Sequence, residues 1–96
     1  MRVLRFAPEF ECHPVWEIRA DGLINMAPET LPISQSLAAD INAWAKLFQE
    51  NYRDDDPAQS GFVDPFRERQ HVADGLKLAE RLLDELGREW VLHVNF

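Results

Sequence analysis

Three adjacent carboxylates, Asp54-Asp55-Asp56, are the densest charge in this chain. Hard cations such as calcium take several oxygen ligands, and a run of carboxylates supplies some of them. The EF-hand pattern is not met, because no glycine stands at its turn position and its closing acidic position is occupied by Pro65. Adjacent side chains also splay apart instead of converging. The run therefore reads as a solvated loop or a protein-contact surface, and no metal site is expected. Phe62 follows in the same loop between Gly61 and Val63, off either helical stripe. It either folds back onto the core or anchors a partner, since an aromatic with a charged rim suits a binding hot spot.

Cys12 and His13 adjoin, with His93 near the C-terminus and His71 between. Zinc takes about four ligands in a tetrahedron, and these spacings match no zinc pattern. A nucleophilic Cys12 would need a histidine or a helix terminus to stabilise its thiolate. His13 is its neighbour, but neighbours on a strand face opposite sides, so His93 across the sheet is the better partner for it. A Gly-rich phosphate loop, a Ser-His-Asp order and a paired acid/base motif are absent from the sequence. The residues point away from an enzyme and imply no cofactor.

The chain has 96 residues, which makes one domain spanning 1–96 with a single modest core. Its 46% hydrophobic and 28% charged residues are those of a folded globule. Ten Lys and Arg stand against seventeen Asp and Glu, a net charge of −7. That balance argues against nucleic acid, which needs a basic footprint, and against an anionic membrane surface. A basic protein partner is compatible with it. The excess is uneven: residues 21–60 hold only Lys46 and Arg53 against seven acids, ending in the Asp54–Asp56 run. Cys12 is the only cysteine, so no internal disulfide is expected. The N-terminal residues lack the apolar run of a signal peptide, and no stretch is long enough to span a bilayer. The expected location is cytoplasmic.

Residues 2–6 read as a short edge strand. Residues 15–20 and 23–26 read as a hairpin turning at Asp21-Gly22, with a type I′ turn in view. After Pro28 and Pro32, Ser34 or Ser36 can cap a helix whose stripe is Leu37, Ile41, Trp44, Ala45, Phe48 and Tyr52. Residues 54–65 are a long loop closed by Asp64-Pro65, a cap followed by proline at the first helical position. The second helix runs to about Leu86, with Val72, Leu76, Ala79, Leu82, Leu83 and Leu86 as its apolar face and Gly87 as its stop. Gly75 sits on that face in mid-helix, where it costs ~1 kcal/mol relative to Ala; close approach by Trp44 or a strand explains such a choice. Residues 89–96 alternate as a half-buried strand. The fold class is α+β in two layers, with two antiparallel helices on one face of an antiparallel sheet. That sheet combines the hairpin, the C-terminal strand and, as an option, the N-terminal segment.

Pro14-Val15-Trp16, Leu31-Pro32-Ile33-Ser34, Trp44, Asp56-Pro57 with Ser60-Gly61-Phe62, Gly75 and Glu85-Leu86-Gly87 before a closing strand with Trp90 make a recognisable combination. It resembles a family of small bacterial proteins of no known activity, over residues 14–94. Some such small acidic proteins are encoded beside secreted toxins and act as immunity proteins. The resemblance implies a bacterial cytoplasmic protein and carries over no catalytic residue. The leading reading is a non-enzymatic protein-binding module, in its most concrete version an immunity-type inhibitor of a basic toxin. Asp54, Asp55 and Asp56 would then pair with partner cations, and Phe62 would supply apolar anchoring. A small enzyme joining Cys12 or a histidine to carboxylates is a second reading. A self-associating subunit, a homodimer through the open sheet edge, is a third.

Overall fold

A computed structural model describes residues 1–50 and 64–96. The elements are β1 (Arg2–Phe6), β2 (Val15–Arg19), β3 (Gly22–Met26), a 3-10 turn (Pro28–Thr30), α1 (Gln35–Gln49), α2 (Pro65–Leu86) and β4 (Trp90–Val94). The strands form one sheet in the order β3-β2-β1-β4. Both helices lie on one of its faces, giving the two-layer α+β architecture.

The hairpin forms where the alternation places it. Val15 pairs with Met26 and Arg19 with Gly22, which leaves Ala20 and Asp21 as the turn. The positive φ falls on Gly22, at 138°, and not on Asp21. The turn is therefore not type I′, which requires φ > 0 at both central residues; glycine takes the left-handed position because it has no Cβ to clash.

The N-terminal segment is interior, not an edge. β1 pairs antiparallel with β2 and parallel with β4, so the sheet is mixed where an all-antiparallel one was expected. The reason lies in the path of the chain. α1 begins at the Arg2 end of the sheet and α2 returns to it, as the tie between Ser34 Oγ and Glu85 Oε2 at 2.9 Å shows. β4 starts three residues after Gly87, where Arg2 N donates to Glu89 O at 3.1 Å. It therefore runs the same way as β1. Leu4 and Phe6 of β1 are fully buried, as an interior strand requires.

Both helices are capped as their sequences demand. Ser34 Oγ accepts from Leu37 N at 3.1 Å, and Asp64 Oδ1 accepts from Phe66 N at 2.9 Å, each satisfying a donor the first turn leaves free. Gly87, at φ 86°, stops α2. Leu37, Ile41 and Trp44 of α1 pack on Leu4, Phe6 and Val15, each such burial contributing about 1.5–3 kcal/mol. The buried face of α2 is rotated from the expected one. It presents His71, Gly75, Leu78, Ala79 and Leu82 inward, while Leu76 and Leu83 are 50% and 42% exposed. Apolar residues surround more than a third of that helix, so periodicity alone does not choose between two adjacent stripes. Among the described residues, no helix is long and apolar enough to cross a membrane.

One carboxylate lies on the helix-covered face of the sheet. Glu17 is buried and clamped by two guanidinium groups: Arg2 at 2.7 and 3.0 Å and Arg19 at 2.7 and 3.2 Å. Arg2 also lies over the Trp90 ring, 4.3 Å from its centroid. Hydrogen bonds from Arg2 first, then Arg19, hold the Glu17 carboxyl at about 2, against 4.5 ordinarily. Because the folded value is below the unfolded one, this group stabilises the fold above pH ~4.5, and that contribution is lost as pH falls towards 2. Urea midpoints of wild type and Glu17→Gln are therefore expected to differ at pH 6 and to converge by about pH 2.

Candidate functional site

The loop expected to carry the contact residues joins α1 to α2. Asp54, Asp55, Asp56 and Phe62 lie outside the described residues. Described at this end of the helices are the C-terminal end of α1, the first turns of α2 and the β1–β2 connection, residues 7–14.

An aromatic column supports this end. Phe10 stacks on Phe48 with centroids 4.4 Å apart, Phe48 lies 5.9 Å from His71, and His71 stacks on Trp44 at 4.3 Å with planes only 6° apart. Trp44 then meets the buried Phe6 and the partly exposed Phe96, each at 5.2 Å. The two helices exchange hydrogen bonds at the centre of the column. Trp44 Nε1 donates to His71 O at 2.7 Å, and His71 Nε2 lies 2.9 Å from Trp44 O. A carbonyl only accepts, so Nε2 carries the proton and His71 is the donor. Both buried ring N–H groups are satisfied, which removes the penalty of burying them.

Gly75 makes this approach possible. A Cβ there would come within 2.5 Å of Trp44 Cζ2 and 2.7 Å of Phe96 Cε2. The close approach by Trp44 expected from the sequence is present, together with a residue just beyond β4.

The β1–β2 connection is fastened to α1 by one side chain. Gln49 Oε1 accepts from Glu11 N at 2.7 Å, while Gln49 Nε2 donates to Glu9 O and, at 3.5 Å, to Cys12 O. Glu11 takes φ 66°, a left-handed conformation that costs a non-glycine residue of order 1–3 kcal/mol. On the far side, Asn25 accepts from His13 N at 2.9 Å and donates to His13 O at 2.7 Å. Sequence reasoning missed both clamps. A lone Gln or Asn in a polar position carries no signal that its amide faces another segment's backbone.

This end exposes Glu9, Glu11, Glu50 and Asp64, acids that extend the charge of the 54–56 run on both sides in sequence. Arg5 pairs with Glu9 at 3.4 Å, and Arg67 and Arg69 stand in the first turns of α2. The Cys12 thiol is pushed up by burial and by the neighbouring Glu9 charge, which disfavours the thiolate a nucleophile needs. His93 lies on β4 opposite Arg5 of β1, while Cys12 belongs to the β1–β2 connection; the structure does not bring them into one constellation. Among the described residues, no group of three or more His, Cys, Asp or Glu is placed to hold a metal ion.

The chain also has a counterpart among known families. The family model described as Serratia CdiI immunity protein-like matches residues 2–95. No curated protein matches the chain.

The interlock at Gly75 yields a direct test. Gly75→Ala adds ~1 kcal/mol of helix propensity, but the new methyl overpacks Trp44, which its hydrogen bond to His71 holds in place, at a cost of about 1–3 kcal/mol. A lowered urea midpoint and a Tm reduced by several degrees are expected, with Gly75→Leu worse than Gly75→Ala. Unchanged midpoints would show that the column yields freely.

Proposed function

The chain belongs to the Serratia CdiI immunity protein-like family, and from that premise we propose that it binds a toxin protein and blocks the toxin's activity. The observation that carries this reading is the family match across residues 2–95. Inhibition of this kind needs a contact surface that covers or distorts the toxin's site.

The contact surface we assign is the end that carries the α1–α2 loop. Asp54, Asp55 and Asp56 attract basic groups of the toxin, and the exposed Glu9, Glu11, Glu50 and Asp64 add to the acidic field. A chain of net charge −7 speeds the approach of a basic partner by electrostatic steering. Phe62 supplies an apolar anchor inside that charged rim. The aromatic column and the Gln49 clamp tie the end of α1, the first turns of α2 and the β1–β2 connection together, which lowers the ordering cost of binding at that end. With one cysteine and no disulfide to maintain, the protein suits a reducing cytoplasm, where an intracellular toxin would be met.

The test pairs the chain with a toxin domain taken from its genomic neighbourhood. Wild type is expected to restore growth of cells expressing that toxin and to bind it in solution. Asp54→Lys combined with Asp56→Lys is expected to slow association at least 10-fold at low salt, with a smaller effect at high salt. Phe62→Ala is expected to act mainly on dissociation. Failure of the wild type to protect or bind would remove the immunity reading. Protection and association rates unchanged by the charge reversals would remove only the assignment of the surface.

A further inference from the structure

The two helices cover one face of the sheet, and no described element covers the other. Antiparallel sheets can leave a face to water, and their outward positions are then commonly polar. Here the register places Leu23, Ile18, Val3 and Val91 side by side across all four strands. Ile18 and Leu23 are 37% and 54% exposed, and Val3 and Val91 are half-buried. The next row along the strands is Asn25, Trp16, Arg5 and His93, with the Arg5 guanidinium 5.0 Å from the Trp16 ring centroid. This apolar row is continuous across all four strands of the uncovered face.

We propose that this face is where two copies of the chain pair, sheet against sheet. The inference does not rest on the immunity reading. Two features select a second copy as the occupant. The first is the register itself. A two-fold axis parallel to the strands and midway between β1 and β2 carries β1 onto β2 and β4 onto β3. Val3 then faces Ile18 of the second copy, Val91 faces its Leu23, and Arg5 faces its Trp16. Apolar side chains meet apolar ones, and the cation meets a ring face that attracts it. The second feature is charge. Neither row contains an acidic residue, in a chain of net charge −7. A second acidic copy meets little like-charge repulsion across these rows, where Arg5 carries its own counter-ion in Glu9. The contact is isologous and closes on itself, so it stops at a dimer.

Strands of five residues rising ~3.3 Å each, four abreast at ~4.8 Å, give a patch of roughly 16 by 19 Å. That is well below the area of a tight complex, so the dimer is weak and forms at high concentration. Sedimentation velocity of the full chain from roughly 10 μM to about 1 mM tests it. The sedimentation coefficient of wild type is expected to rise towards the dimer value. Ile18→Glu and Leu23→Glu are expected to weaken association at least 10-fold, while Leu83→Glu, on the outer side of α2, leaves it intact. Leu23 lies on an edge strand and is the more exposed, so its variant remains informative if Ile18→Glu fails to fold by circular dichroism. A wild type that stays monomeric throughout, or a dimer that survives Leu23→Glu, overturns the proposal.

Discussion

The two hydrogen bonds exchanged between Trp44 and His71 fix the geometry on which the rest of the helical layer depends. Each aromatic ring is buried, and each presents to the other helix a ring N–H that must find an acceptor. Each finds the backbone carbonyl of the other residue, on the opposite helix. This sets the rotation of α2 about its axis. With His71 turned inward, Gly75, Leu78 and Leu82 follow one, two and three turns later, and Leu76 and Leu83 are left on the outside. A glycine at 75 is then obligatory for the observed packing, because Trp44 and Phe96 occupy the space a side chain would need.

The same pairing links the core to the molecule's candidate contact end. Trp44 reaches Phe6 and Phe96 on one side and, through His71, Phe48 and Phe10 on the other. The β1–β2 connection is thereby held by ring stacking as well as by the Gln49 amide, which helps to offset the left-handed backbone at Glu11. At the opposite end of the sheet, Glu17 is stabilised in its charged form by Arg2 and Arg19. Two guanidinium groups on one carboxylate satisfy its oxygens where the helices leave little water, and they keep their own outer edges solvated.

The layering accounts for the uncovered face. Two helices suffice for one side of a four-stranded sheet, and among the described residues no further element covers the other. The outward apolar row of Leu23, Ile18, Val3 and Val91 is left on that side, and the Arg5–Glu9 pair links the neighbouring row to the β1–β2 connection.

Much of the fold was legible in the sequence because it rests on local physics. The Ser34 and Asp64 caps, the Gly87 stop, the hairpin with its glycine and the alternation of the last strand each follow from backbone sterics or from a period that one short segment displays. Gly75 belongs with them, since glycine in mid-helix already implied a close neighbour, and Trp44 is that neighbour. The strand order and the parallel pairing of β1 with β4 were decided only in three dimensions. Alternation has the same period in parallel and antiparallel strands, and direction depends on which end of the sheet the second helix returns to. The inward face of α2 was likewise decided by an indole N–H on another helix that needed an acceptor. For the candidate site, the sequence by itself determined the concentration of charge at Asp54, Asp55 and Asp56 with Phe62 close by. Tertiary structure decided how the end of α1, the first turns of α2 and the β1–β2 connection are joined, because the Gln49 clamp and the aromatic column link segments far apart in the chain, and only packing brings them together.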